Sequence, residues 1–267
     1  MEGTIEKNPY DSEFFKDRSK SQQSADIVVP LLTTFFHPRS VIDLGCGTGE
    51  WLKSFKQEGC RILGIDGEYV QKDNIKLEIE GEEFIARDLS VPFFGKQPVK
   101  GKERFDLAVS LEVAEHLPPE RAESFVYDLT CMSDVVLFSA AVPGQPGTNH
   151  INCRFQDYWE SLFLSCHYKA ADFLRPMIWN DHRINVIYRN NMLLYYNAKK
   201  KNIEEMVHDF PALSLPSMNA VHPELYSIIL SGYLSVIKSA EELNSELMGN
   251  LERAVEKLEE IAEGKRQ

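Results

Sequence analysis

The sequence has few of the features that would assign a protein to a membrane, a secretory pathway or a nucleic acid. No stretch approaches the roughly 20 apolar residues that span a bilayer, and the polar N-terminus does not form a signal peptide, so we expect a cytoplasmic protein. The five cysteines include no Cys-x-x-Cys pair, which argues against a zinc cluster or a disulfide framework. Basic residues number 29 against 41 acidic ones, and this net charge of −12 disfavours general binding of nucleic acid.

Short apolar runs alternate with amphipathic patterns over most of the chain. The runs predict strands at residues 40–45, 61–67, 83–89, 104–112, 134–142, 169–173 and 192–198. The patterns between them predict helices, among them residues 25–36, 48–59, 119–133 and 154–168. Because continuous apolar runs are typical of parallel strands covered on both faces, the sequence predicts an α/β fold. Its doubly wound, mostly parallel seven-stranded sheet would carry a ligand site at the carboxyl ends of the strands.

The predicted sheet divides the chain into three parts. Residues 1–39 form a helical lead-in, residues 40–200 the α/β domain and residues 201–267 a helical extension. No proline interrupts residues 224–263, where apolar residues recur at helical spacing: Ile237, Ala240, Leu243, Leu247, Leu251, Ala254, Leu258 and Ile261. From Leu247 onward the spacing is that of a heptad seam. The extension therefore either packs across its own domain or forms a coiled coil, making a homodimer or docking a partner.

A glycine-rich turn follows the first predicted strand, in the stretch VIDLGCGTGEWL at residues 41–52. Gly45, Gly47 and Gly49 allow left-handed backbone and remove the Cβ atoms that would block a ligand. A dinucleotide loop has the pattern Gly-x-Gly-x-x-Gly, whereas here the third glycine comes one residue early and Glu50 takes the sixth position. This arrangement suits a cationic ligand better than a pyrophosphate.

Four motifs in order carry a resemblance to a known family. VIDLGCGTGEWL, GID (64–66), ARDL (86–89) and FDLAVSLEVAEHL (105–117) resemble the motifs of class I S-adenosylmethionine (SAM) methyltransferases, over roughly residues 10–200. The resemblance implies a Rossmann-like fold, SAM as methyl donor and S-adenosylhomocysteine as product. It places Asp66 on the ribose hydroxyls, Asp88 on the adenine amino group and Leu89 against the ring. The full set of cofactor-binding residues that it implies is Asp43, Gly45, Cys46, Gly47, Gly49, Asp66, Gly67, Asp88, Leu89, Ser110 and Leu111.

The candidate catalytic or metal-binding residues lie in the segment Glu112-Val-Ala-Glu115-His116. Its spacing of i, i+3 and i+4 predicts three side chains on one face of a helical turn. With His150 in a later loop, the pattern is similar to that of the small-RNA 3′-terminal 2′-O-methyltransferases, where it binds a metal. That resemblance implies Mg²⁺ or Mn²⁺ at Glu112, Glu115, His116 and His150. Metal-free relatives carry a similar segment, and they imply instead that His116 is a general base or a structural hydrogen-bonder, with Glu112 near the methionine end of SAM. Glu112, His116 and His150 are the predicted catalytic residues.

The acceptor is predicted from polarity alone. Loop residues 143–152 and the following helix offer Asn149, Arg154, Tyr158 and Trp159, and a later cluster offers Trp179, Asp181, His182 and Arg183. We expect O-methylation of a hydroxyl on a polar small molecule or a sugar. The layout, including VHPELY (221–226), is similar to stand-alone methyltransferases of surface-glycan or natural-product biosynthesis. The alternatives are an N-methyltransferase of a small molecule, or a non-catalytic SAM-binding module recruited through its helical tail.

Overall fold

A seven-stranded sheet forms the centre of the computed structural model, which describes residues 19–71, 78–79, 81–94, 104–210 and 214–264. All seven predicted strands are present. In chain order they are β1 (Ser40–Leu44), β2 (Arg61–Asp66), β3 (Phe84–Ala86), β4 (Leu107–Leu111), β5 (Val135–Ser139), β6 (Tyr168–Ala171) and β7 (Leu193–Asn197). The first 18 residues of the predicted lead-in and the side chain of Ile261 lie outside the described residues.

The strand order is β3-β2-β1-β4-β5-β7-β6. The first five strands of this order pair in parallel, whereas β7 runs antiparallel to both β5 and β6. The order therefore reverses between β1 and β4, which are direct neighbours with Asp43 opposite Val109. Ligands of doubly wound sheets bind at such a switch point, outside the carboxyl ends of the strands. The predicted mostly parallel, doubly wound sheet is confirmed.

Helices cover both faces of the sheet. They are α1 (Ser19–Phe36), α2 (Glu50–Gln57), α3 (Ala122–Met132), α4 (Gln156–Ser165), α5 (Leu174–Ile178), α6 (Val186–Asn191), α7 (Lys201–His208) and α8 (Pro223–Gly264). The helix predicted at residues 119–133 begins as a separate 3-10 turn, Pro119–Arg121, with proline at its first position. Among the described residues, no helix is long and apolar enough to cross a membrane.

Two apolar cores hold these layers together. One lies under α1 and α2 and includes Val28, Leu52 and Phe55, each without accessible surface. The other lies under α3 and α4 and includes Phe125 and Trp159, which is 1% exposed. Trp159, which the sequence offered as a candidate acceptor residue, is therefore a core residue.

The chain divides into two compact units, Met1–Leu225 and Tyr226–Gln267. Helix α7, at the start of the predicted extension, belongs to the first unit, where Ile203, Met206 and Val207 pack against the core under α1. The second unit comprises the rest of α8. Most of its described large apolar side chains are exposed: Tyr226, Ile228, Leu230, Tyr233, Leu234, Val236, Ile237, Leu243, Leu247, Met248, Leu251, Val255 and Leu258. The predicted long C-terminal helix is confirmed.

Candidate active site

The glycine turn between β1 and α2 has the backbone that the sequence requires of it. Gly45 and Gly49 have φ of +87° and +94°, in the left-handed region that favours glycine. A Cβ on Gly45 would lie 2.3 Å from Cγ2 of Val113, and one on Gly49 would lie 2.9 Å from Cγ2 of Ile79. Both glycines are needed for conformation and for the close approach of a neighbouring side chain.

Asp66 ties the glycine turn to the end of β2. Its carboxylate accepts hydrogen bonds from the backbone N–H of Gly47 at 2.7 Å and of Gly67 at 2.7 Å, and from the hydroxyl of Tyr69. The side chain is only 4% exposed. A carboxylate held on several sides by donors has a fixed direction, as binding of two vicinal hydroxyls requires. Tyr69 was not singled out in the sequence, because nothing in its local pattern marks it.

Asp43 is buried behind the glycine turn. It is 3% exposed, and its Oδ1 has no hydrogen-bond partner among the described residues. Burial raises the pKa of this carboxyl well above its usual range, and the nearby charges of Asp66 and Glu50 raise it further. Glu50, also buried, accepts a hydrogen bond from the hydroxyl of Thr48. Three carboxyl groups, those of Asp43, Glu50 and Asp66, therefore lie close together at the base of the glycine turn, and a cationic ligand would stabilise their ionised forms.

One cavity of about 900 Å³ opens at the carboxyl ends of the strands. Its volume is within the range of small-molecule sites, about 300–1,000 Å³. It is lined by these predicted cofactor residues: Gly45, Gly47, Asp66, Gly67, Asp88, Leu89 and Leu111. Asp43, Cys46, Gly49 and Ser110 are not among the lining residues, and the hydroxyl of Ser110 donates to the carbonyl of Leu44, 2.8 Å away. These four therefore support the turn and the adjacent strands from behind.

A buried ion pair holds the segment that carries Asp88 and Leu89. Arg121 donates through Nε to the carbonyl of Leu89 at 3.0 Å and pairs with Asp128, their side chains being 3% and 1% exposed. Asp128 also accepts from the backbone N–H groups of Phe93 at 3.0 Å and Phe94 at 3.2 Å. The pair therefore fixes the wall of the cavity where the sequence predicts the adenine ring. Sequence reasoning missed both residues, since they lie in the following helical segment.

The predicted helical turn at residues 112–116 is wrong in its geometry. Only Ala114–His116 is helical, as a 3-10 turn, and Glu112 before it has φ of +57°. Glu112 therefore does not share a helix face with Glu115 and His116. Its carboxylate accepts instead from the side-chain amide of Gln145, at 2.6 Å.

A second amide donor completes the environment of Glu112. Asn191, at the end of α6, donates through Nδ2 to Oε1 of Glu112 at 3.0 Å. Burial raises the pKa of Glu112, while these two amides and Ser139 oppose that shift. Gln145 and Asn191 come from loops and helix ends far along the chain, so no spacing in the sequence pointed to them.

Glu115, His116 and His150 do come together. One ligand atom of each lies within 4.8 Å of the others, and the two imidazole rings are 4.9 Å apart between centroids. Glu115 has no accessible surface, and neither carboxylate oxygen has a hydrogen-bond partner among the described residues. Burial raises the pKa of Glu115 well above its usual range, with the charge of Glu112 adding to it and nearby backbone amides opposing it. A buried, unpartnered carboxylate beside two imidazoles fits either a cation or a shared proton.

The acceptor end of the cavity is formed by residues 145–150. His150 is half-buried, which lowers its pKa, and its Nδ1 lies 3.1 Å from the carbonyl oxygen of Gln145. Nδ1 of His116 lies 3.4 Å from the carbonyl oxygen of Asn149, whose own φ is +58°. The other predicted acceptor residues do not line the cavity: Arg154, Tyr158, Trp159, Trp179, Asp181, His182 and Arg183.

Comparison with known proteins agrees with this geometry. Residues 16–123 match the family model of a methyltransferase domain. The structure is similar to an amino pentose methyltransferase from Micromonospora echinaspora with bound SAM, with a TM-score of 0.51 at 13% identity, covering 74% of this chain and 100% of that one. Proteins of curated function include no match to the chain.

Two further solved structures resemble the chain more loosely. Magnesium protoporphyrin IX methyltransferase from Synechocystis PCC 6803, with bound SAM, gives a TM-score of 0.45 at 19% identity over 68% of this chain and 81% of that one. A SAM-dependent methyltransferase from Archaeoglobus fulgidus gives 0.49 at 17% identity over 70% and 100%. The likeness to the amino pentose methyltransferase, at 13% identity, shows a shared fold.

Proposed function

We propose that this chain is a class I SAM-dependent methyltransferase that methylates a hydroxyl group on a polar small molecule or a sugar. The observation that carries the proposal is the group Glu115, His116 and His150, which shares one cavity with the glycine turn and Asp66. Methyl transfer from a sulfonium is an in-line displacement in which the enzyme mainly positions the acceptor. A hydroxyl acceptor must also lose its proton, and its pKa is far above 7, so it needs a base or a metal.

In the simpler form of this proposal, His116 is the general base. Its ring lies at the cavity wall beside His150, and its Nδ1 faces the carbonyl oxygen of Asn149. That contact orients the ring at the cavity wall, where it can accept the acceptor's proton. Glu115, which has a carboxyl oxygen within 4.8 Å of a ring nitrogen of each histidine, can share the proton that the ring takes up.

A methyl-transfer screen tests the reaction class. Radiolabelled SAM is offered with neutral sugars, nucleosides and small polyols, and product is separated from unreacted donor. We expect transfer to a hydroxyl, and a loss of 100-fold or more (about 10²–10⁴ for a general base) in His116→Gln. The matched control is His208→Gln, an exposed histidine at the end of α7 that does not line the cavity. Equal activity in both variants would exclude His116 as the base, and transfer only to amines would replace O- by N-methylation.

The second form of the proposal adds a divalent cation. Glu115, His116 and His150 are a donor set of one carboxylate and two imidazoles, and the unpartnered oxygens of Glu115 are what a cation would satisfy. Glu112, the fourth ligand implied by the sequence, already has two amide donors on its carboxylate. When bound, Mg²⁺ or Mn²⁺ would lower the pKa of an acceptor hydroxyl.

Thermal unfolding, with turnover in EDTA as a second readout, separates the two forms. If the cation site exists, Mn²⁺ raises the melting temperature of the wild-type chain and of His208→Gln, and does not raise that of His150→Ala. If Mn²⁺ has no effect on any of them and EDTA leaves turnover unchanged, the metal form is wrong and the histidine base remains.

We further propose that the protein is cytoplasmic and that it forms a homodimer through α8. Thirteen large apolar side chains are exposed on α8, and a coiled coil would bury the seam that begins at Leu247. Truncation after Tyr233 should convert a dimer to a monomer in light scattering. Leu251→Lys should do the same, whereas Glu246→Lys, outside the seam, should not. An unaltered mass in the truncated chain and in Leu251→Lys would refute the dimer.

A further inference from the structure

Glu112 stands where a carboxylate can act on the cofactor. It follows β4 directly, and the side chain of the next residue, Val113, is the one that a Cβ on Gly45 would strike. Glu112 therefore lines the cavity beside the glycine turn. SAM is positively charged at its sulfonium and at its amino group, so a carboxylate fixed at this wall is complementary to it.

The direction of the Glu112 carboxylate is set by Asn191. Asn191 is 1% exposed, and its Nδ2 donates to Oε1 of Glu112 at 3.0 Å and to Oε1 of Gln145 at 2.9 Å. Its Oδ1 accepts from Nδ2 of Asn190 at 2.6 Å and from Nε2 of Gln156 at 3.4 Å. Both donors and the acceptor oxygen are therefore occupied. Turning this amide over would place Oδ1 against the carboxylate, so the network permits one orientation.

Asn190 is in turn fixed by the segment that leads into α8. Its Oδ1 accepts from the backbone N–H of His222 at 2.6 Å, and the Asn190 side chain has no accessible surface. The backbone at His222 is itself held, because the His222 ring contacts the carbonyl of Trp179 at 2.9 Å and accepts through Nδ1 from the N–H of Glu224 at 3.1 Å. The VHPELY segment therefore holds the side chain of Asn190 in place, a role that its sequence did not indicate.

We infer that Asn191 is a positioning residue for SAM binding, because its side-chain amide orients the carboxylate of Glu112 toward the cofactor. Asn191 is itself held in place by Asn190 and by the backbone of His222. The chain of contacts runs from the start of α8 to the cavity wall through four buried or half-buried groups. This inference rests on SAM as the cofactor and is independent of which acceptor is methylated.

A double-mutant cycle on SAM binding tests the inference, with calorimetric titration of SAM as the readout. Glu112→Gln and Asn191→Ala should each weaken SAM binding by about tenfold. Because both variants disable the same carboxylate, the double variant should bind no more weakly than Glu112→Gln alone. A purely structural role of Asn191 would lower the melting temperature of Asn191→Ala and leave its SAM affinity unchanged.

The matched control is Asn197→Ala. Asn197 also donates a side-chain amide to a carboxylate, Oδ1 of Asp134 at 2.7 Å, but it lies at the end of β7 and does not line the cavity. Its SAM affinity should equal that of the wild type. If Asn191→Ala does not fold, Gln145→Ala removes the other amide donor to Glu112 and should show the same lack of additivity. Wild-type affinity in Asn191→Ala, or multiplying losses in the double variant, would overturn the inference. A wild-type chain that binds SAM and methylates no hydroxyl would refute the proposed acceptor and leave the inference standing.

Discussion

Alanine substitutions at Gly45 and Gly59 separate the two reasons for a glycine in the glycine turn, which are left-handed backbone and the close approach of a neighbouring side chain. Gly45 and Gly59 have nearly the same backbone, with φ of +87° and +86°. A Cβ on Gly59 would meet nothing within 4 Å, whereas a Cβ on Gly45 would lie 2.3 Å from Cγ2 and 2.7 Å from Cγ1 of Val113. Gly59→Ala therefore measures the cost of left-handed backbone alone, and Gly45→Ala adds the collision.

The magnitudes follow from these distances. Left-handed backbone costs a non-glycine residue about 1–2 kcal/mol, which is the whole expected effect of Gly59→Ala. Val113 is β-branched, so its side chain has little rotamer freedom with which to move away, and overpacking costs about 1–3 kcal/mol more. Gly45→Ala should therefore lower the free energy of unfolding by roughly 2–5 kcal/mol.

Urea unfolding and SAM calorimetry together provide the assay. We expect Gly59→Ala to bind SAM as the wild type does, since Gly59 follows α2 and does not line the cavity. Gly45→Ala should lose at least tenfold in SAM affinity, because relief of the collision displaces Val113 and with it the neighbouring Glu112. Equal destabilisation of the two variants, or unchanged SAM affinity in Gly45→Ala, would refute the reasoning.

Three further predictions concern stability. Burial raises the pKa of Asp43 well above 3.8, so the folded state keeps a proton that the unfolded state releases. The free energy of unfolding should therefore fall as the pH rises above about 4. Asp43→Asn should remove this pH dependence, as measured by urea unfolding at several pH values. Asp128→Ala leaves Arg121 buried without its partner and should cost about 3–5 kcal/mol of unfolding free energy; an apolar replacement of both residues should cost less. Gly232 and Gly249 lie inside α8 with open space around them, and alanine at each should raise the stability of the isolated helix by about 1 kcal/mol, seen as higher helicity in circular dichroism.

The sheet could be predicted because burial on both faces requires a continuous apolar run in each strand. SVIDL and VVLFS are such runs, and both strands are fully buried. The glycine turn could be predicted because its spacing reflects backbone requirements that are local to a few residues. The direction of each strand relative to its neighbours was harder to predict from the sequence, because the antiparallel pairing of β7 depends on where a long connection returns to the sheet.

The geometry around Glu112 could not be read from spacing. The i, i+3, i+4 pattern predicts a shared face only if all the residues are helical, and the left-handed backbone of Glu112 breaks that condition. Its amide partners, Gln145 and Asn191, lie 33 and 79 residues further along the chain. Contacts across such separations are fixed by the topology of the sheet and leave no periodic signal in the sequence.

Left-handed backbone at residues other than glycine has a consequence for how the chain tolerates mutation. Among the described residues, four have this backbone: His37, Glu112, Asn149 and His167. Glu112 and Asn149 line the cavity, where their side chains matter. Glycine at either position would relax the backbone and remove the side chain together. A selection for thermal robustness alone would therefore favour glycine at Glu112 and Asn149, and only a selection that also scores ligand binding would retain them.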